Sequence, residues 1–230
     1  MSAEDRSVPA LLLAGGRPRD PSAMARMMAR RLGGTKKPRV AYIGTANGDN
    51  RVFFQMMKSM LTQAGAGKVD FLRLAKAKPD LQAVREALSA ADVVFLAGGE
   101  VEDGIRWLQK HGLVPFLRDL HREGKPFLGV SAGVIMMGSH WVHWEVPEDD
   151  DTSSLFDCLG LIPLLFDTHG EDEDWVEIKA ALKLLGDGAR GYGLPGGTVV
   201  EADSGGTLTE LEKAYIIFIN ESGKIRQESR

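Results

Sequence analysis

Short apolar runs alternating with amphipathic stretches are what most constrain this chain. "ALLLAGG" (10–16), "RVAYIGTA" (39–46), "KVDFLRLA" (68–75), "DVVFLAGG" (92–99) and "KPFLGVS" (125–131) each read as a buried strand, several of them closed by glycine. Between them, "PSAMARMMARRLGG" (21–34), "NRVFFQMMKSMLTQAG" (50–65) and "PDLQAVREALSAA" (79–91) carry apolar residues at helical spacing. "DGIRWLQKHG" (103–112) and "VPFLRDLHREG" (114–124) add one or two helices. Near-continuous apolar strands separated by helices imply a mainly parallel central sheet with helices on both faces, an α/β fold.

After residue 139 the pattern changes. "HWVHWEVPEDDDTSS" (140–154) reads as a polar, acidic connection, "LGLIPLLFDTH" (159–169) as a strand and "EDWVEIKAALKLLG" (173–186) as a helix. Residues 191–225 read as a C-terminal β-meander with turns at Gly196-Gly197, Ser204-Gly205-Gly206 and Glu221-Ser222-Gly223. No linker or repeat interrupts the chain, so residues 1–230 are expected to form a single domain, with residues 1–7 disordered.

The fifth apolar run ends in "GVSAG". Ser131 then stands where a strand turns sharply into a helix, flanked by Gly129 and Gly133 as G-x-S-x-G. Small neighbours let strand and helix approach closely enough to hold a serine in strained backbone geometry, the nucleophile elbow. The Ala132 N–H at the start of the helix is a natural oxyanion donor. Gly98 and Gly99, ending the neighbouring strand, supply a second close backbone approach.

A serine nucleophile needs a base. His111 and His121 fall in or near helices read as surface, while His140 and His143 follow the serine helix. His169 ends the run "LIPLLFDTH" and is expected on the same carboxyl edge of the sheet as Ser131, which makes it the general base.

Other signals bound the function. The net charge is −4, and no dense Lys/Arg stripe or basic-aromatic interleaving suggests a nucleic-acid partner. No apolar run approaches membrane-spanning length, the N-terminus lacks a signal-peptide core, and the single cysteine, Cys158, reads as a core thiol. A cytoplasmic protein without membrane association is expected. "LLLAGGRP" and "YIGTANGDN" lack the phosphate-cradling glycine motifs, so Arg17, Thr45, Ala46 and Asn47 read as rim residues of the cleft. The methionine-rich helices (Met24, Met27, Met28; Met56, Met57, Met60) and the four tryptophans read as packing residues, and no Cys/His set has zinc spacing.

With these residues in place, the chain resembles peptidase family S51, which includes aspartyl dipeptidase (peptidase E) and cyanophycinase. The resemblance is carried by "FLAGGEVEDGI" (95–105), "GVSAGV" (129–134), "CLGLIPLLFDTH" (158–169) and "GYGLPGGTVVEAD" (191–203). It implies a class I glutamine-amidotransferase-like, flavodoxin-like fold. It also implies Ser131 as nucleophile, His169 as base, Gly99 and Ala132 as oxyanion-hole donors, a small peptide substrate, no metal or organic cofactor, and a homodimer. Asn47, Gly98, Glu100 and Asp167 are the expected substrate-contacting residues.

Three departures stand out. Where cyanophycinase-like members carry the acid of the triad, this chain has Gly196 in "GLPGG". Dipeptidase-like members use an aspartate between serine and histidine, which points to Glu148 or Asp149 within the acidic connection 145–151. A protein that keeps the fold as a binding module without catalysis is the alternative. Second, the segment after the histidine, "HGEDEDW" (169–175), is acidic where relatives that recognise acidic substrates have arginines. A cationic or neutral substrate is the more compatible, unless these carboxylates only cap the following helix. Third, Glu100 and Glu102 add negative charge after the "AGG" strand end.

Overall fold

The computed structural model describes residues 11–14, 37–75, 78–146, 149–203 and 205–229. The helix expected at 21–34, Arg17, the residues expected to be disordered and Glu148 lie outside the described residues.

The chain runs β1 (Leu11–Ala14), β2 (Arg39–Ile43), α1 (Arg51–Gln63), β3 (Lys68–Leu72), α2 (Leu81–Ala90), β4 (Val93–Leu96), α3 (Val101–Lys110), α4 (Val114–Arg122), β5 (Phe127–Val130) and α5 (Ala132–Met137). It continues with β6 (His140–Trp144), β7 (Ser153–Asp157), β8 (Leu165–Thr168), α6 (Val176–Leu185), β9 (Arg190–Leu194), β10 (Val199–Ala202), β11 (Leu208–Glu212), β12 (Ile216–Glu221) and β13 (Lys224–Ser229).

The central sheet has seven strands in the order β11-β10-β1-β5-β4-β2-β3. The run β1-β5-β4-β2-β3 is parallel, and β10 and β11 extend it antiparallel beside β1. Strands β4 and β5 are buried along their whole length because helices cover both faces. Side chains alternate between two cores. Ala41, Ile43, Val94 and Leu96 pack with α2 to α5, while Val40, Tyr42, Val93 and Phe95 pack with Phe54, Met57 and Leu61 of α1. Asn50 and Asp80 start α1 and α2 by accepting amide hydrogen bonds from the first turn.

The C-terminal half corrects the sequence reading in three places. The meander is divided: β10 and β11 join the central sheet, whereas β9, β12 and β13 form a second, four-stranded sheet with β8 in the order β13-β12-β9-β8. The acidic connection contains a hairpin, β6 paired antiparallel with β7. Within 159–169 only Leu165–Thr168 is strand. Residues 158–162 spend their amides on the end of α5 instead: Leu159 N–H donates to Met136 O (2.8 Å), Gly160 N–H to Gly138 O (2.7 Å) and Leu161 N–H to Met137 O (3.0 Å).

Candidate active site

Ser131 has φ 55° and ψ −126°, a backbone conformation that costs energy for any residue with a Cβ. The glycines around it make the corner possible. A Cβ on Gly133 would lie 2.2 Å from Leu96 O, and one on Gly129 would lie 2.8 Å from the Gly133 carbonyl. Strand β4, strand β5 and helix α5 can therefore meet only with hydrogen at both positions.

His169 follows β8 directly and has φ 45°. Its amide donates to Leu194 O at 2.9 Å, continuing the β8–β9 pairing past the strand end. The histidine thus comes from the second sheet, not from the edge of the sheet that carries Ser131. The two side chains nevertheless meet, with Ser131 Oγ 2.7 Å from His169 Nε2. With the ring proton on Nδ1, Nε2 accepts from the serine hydroxyl.

Gly99 has φ +141°, and a Cβ there would sit 2.1 Å from Ala46 O. The neighbouring Glu100 N–H donates to that same carbonyl at 2.7 Å, which fixes the turn after β4. Among the described residues the amides of Gly99 and Ala132 have no acceptor, and both residues line the cavity that contains Ser131. Asn47 supports the turn from beneath: its Nδ2 donates to Gly98 O (2.9 Å), and its Oδ1 accepts from Asn50 N–H (3.0 Å).

Two cavities adjoin the Ser131–His169 pair. One, of about 450 Å³, is bounded by the start of α3, by β6 and by the β8–α6 connection, and takes in Glu100 and Asp167. The other, of about 530 Å³, lies on the α1 side and includes Asn47, Phe53, Met57 and Gly98. The four residues expected to contact substrate are thus divided between two sides of the serine.

Asp167 is 3 % exposed; its Oδ1 accepts from Thr168 N–H at 2.6 Å, while Oδ2 is buried without a hydrogen-bond partner. Burial, reinforced by the negative charge of Glu177 and Glu173, pushes its carboxyl from 3.8 up to about 8. The Thr168 and Ile178 amides pull it back only in part, the latter without completing a hydrogen bond of normal geometry.

Asp149, the described one of the two acids expected for a triad, is not at His169. Asp149 caps the 150–152 turn by accepting from Asp151 N–H (3.1 Å), and the adjacent Asp150 pairs with Lys183 near the far end of α6 (2.6 Å). Among the described residues no carboxylate hydrogen-bonds to His169. Glu171 Oε1 instead accepts from the Gly196 amide (2.8 Å). Nor do the carboxylates after the histidine cap α6. Its N-cap is Trp175, in left-handed conformation with no side-chain bond, and Asp174 pairs with Lys179 at 2.7 Å.

The remaining histidines have structural partners. His121, expected at the surface, is 4 % exposed and packs edge-on against Phe127; burial lowers its pKa. His111 Nε2 lies 2.8 Å from Leu74 O, and His143 Nδ1 lies 2.6 Å from Glu102 Oε2. Cys158 is buried, its thiol pKa raised by desolvation, so the core reading holds for it. Among the described residues no group of three or more His, Cys, Asp or Glu could hold a metal ion, and no helix is long and apolar enough to cross a membrane.

Comparison with known proteins follows the same lines. Over 97 % of both chains the fold superposes on a peptidase from an acI-B1 Actinobacterium, with TM-score 0.73 and 19 % identity. A Listeria monocytogenes EGD-e protein described as a peptidase E matches at TM-score 0.65 and 14 % identity, over 89 % of this chain and 98 % of that one. Pyridoxal 5'-phosphate synthase subunit PdxT of Geobacillus kaustophilus is 28 % identical over 122 residues, 52 % of this chain and 57 % of that protein. The chain thus spans little more than half the length of that curated relative, and the likeness reaches the glutamine-amidotransferase-like fold. The profile of peptidase family S51 matches residues 10–209, most of the chain, and this protein belongs to that family.

Proposed function

We propose that this protein is a serine-type peptidase acting on small peptides. The observation that carries the reading is the 2.7 Å contact between Ser131 Oγ and His169 Nε2, made from a strained strand-to-helix corner. Family membership supports a peptidase, and the fold shared with peptidases agrees with it.

In this mechanism Ser131 Oγ attacks the scissile carbonyl carbon as its proton passes to His169 Nε2. The carbonyl oxygen becomes an oxyanion held by the Gly99 and Ala132 amides. Collapse breaks the C–N bond, and the imidazolium returns its proton to the departing amine. Water, deprotonated by His169, then hydrolyses the acyl-serine ester and restores the hydroxyl. The preorganised amides matter beside the base, because losing one such donor typically costs about 10²–10³ in turnover.

The test is covalent labelling by a fluorophosphonate. Wild type should form an adduct on Ser131, and both Ser131→Ala and His169→Ala should abolish it. One observation favours a second reading, a binding protein that has lost catalysis: no carboxylate bonds to the His169 ring among the described residues. An unlabelled wild type would decide for that reading.

A further inference from the structure

We infer that Asn47 is a positioning residue for the oxyanion hole, acting on the peptide unit that carries the Gly99 donor. This deepens the serine-peptidase reading and rests on it. One peptide unit holds both the Gly98 carbonyl and the Gly99 N–H. It is trans, so the two groups point in opposite directions. Asn47 Nδ2 donates to that carbonyl at 2.9 Å. Whatever fixes the direction of the carbonyl therefore fixes the direction of the N–H. That N–H has no acceptor among the described residues, and Gly99 lines the cavity around Ser131.

The hold is two-sided. Glu100 N–H donates to Ala46 O at 2.7 Å, so the turn at Thr45–Asn47 grips the strand end on either side of the Gly99 amide. Asn47 is itself held: its N–H donates to Gly44 O and its Oδ1 accepts from Asn50 N–H, both at 3.0 Å. With Oδ1 committed to Asn50, the carboxamide turns its donor toward Gly98. The strand end needs such a hold because two consecutive glycines leave the backbone its widest freedom, and Gly99 must stay at φ +141°. A hydrogen bond accepted by an amide oxygen also polarises the amide and strengthens its N–H as a donor. Asn47, expected from the sequence to contact substrate, thus serves the developing oxyanion through this peptide.

The rate of fluorophosphonate labelling at Ser131, measured on the full chain well below its melting temperature, tests this, because the phosphoryl oxygen of the adduct occupies the oxyanion hole. Asn47→Asp turns the donor facing Gly98 into an acceptor and keeps the bond from Asn50 N–H, whereas Asn47→Ala removes both. Each should label about tenfold to a hundredfold more slowly than wild type. Asn50→Ala strips the side-chain cap of α1 and leaves the bond to Gly98 in place. It should lower the melting temperature yet label at the wild-type rate. In isotope-labelled protein the Gly99 amide resonance should move in both Asn47 variants and stay in place in Asn50→Ala. Asn47 variants that label within about twofold of wild type would overturn the positioning role while the labelled serine keeps the peptidase reading. So would an Asn50→Ala that slows labelling as much as they do, since the effect would then be one of stability. An unlabelled wild type would overturn the peptidase reading instead. The Gly99 resonance then decides alone whether Asn47 holds the peptide, and an unmoved resonance ends that claim as well.

Discussion

Asp167→Asn should stabilise the protein at neutral pH, although it removes a polar group from the candidate site. In the folded chain the carboxyl titrates near 8, against 3.8 ordinarily. Below pH 3.8 both folded and unfolded states hold the proton, and there is no penalty. Between these values the unfolded chain releases the proton and the folded chain retains it, so stability falls as pH rises, by about 1.4 kcal/mol per pH unit. Above pH 8 both states are ionised and the penalty is constant. At pH 7 it amounts to roughly 4 kcal/mol, a large part of the 5–15 kcal/mol typical of a domain. Asparagine has no proton to retain, so this amount is the ceiling on its gain. The assay is urea unfolding followed by far-UV circular dichroism at intervals from pH 5 to pH 7.5, for wild type and variant. The difference in unfolding free energy should grow with pH at about one proton's slope. A difference that does not change with pH would refute the reasoning, since Asp167 would then be ionised in the fold.

Other perturbations follow from the close approaches. Gly99→Ala must place a methyl group 2.1 Å from Ala46 O at φ +141°, so melting temperature and labelling of Ser131 should fall together. Gly133→Ala meets Leu96 O at 2.2 Å and should prevent the α5 corner from closing, read as loss of soluble protein or a sharply lowered melting temperature. Gly188→Ala is the control: φ is +78° with nothing within 4 Å, so it should cost only about 1–2 kcal/mol in urea unfolding. Iodoacetamide should leave Cys158 unmodified in native buffer and alkylate it fully in denaturant, because the thiol is 2 % exposed.

The parts of the site that were legible in the sequence were written locally. Gly129, Ser131 and Gly133 stand within one turn, and each is required by a contact a few residues away or on the adjacent strand. The alternation of apolar runs and helices likewise reports burial on both faces of a parallel sheet. What the sequence could not say is which strand pairs with which. Runs 191–194 and 199–202 both read as strands of one meander, yet one joins the second sheet and the other the central one. His169 was readable as a strand end, but not as belonging to a different sheet from Ser131. The β6–β7 hairpin left little trace, because "HWVHW" carries strand-favouring Trp and Val without a polar–apolar alternation and its turn is filled with acidic residues. His121 did leave one, sharing a helix face with Leu117. An acid to orient His169 is spelled out by no local pattern.

The nucleophile and its base hang from two separately hydrogen-bonded layers, joined where residues 158–162 lace onto the end of α5 and Ser139 N–H reaches Leu164 O at 2.8 Å. The proton path is therefore a gauge of that seam. A slip of one layer past the other by about an ångström would open the contact while both layers stayed folded, and misplacements of that size can cost about a hundredfold in rate. Substitutions along the seam, remote from any bound peptide, should silence the serine at temperatures where the circular dichroism spectrum is still native.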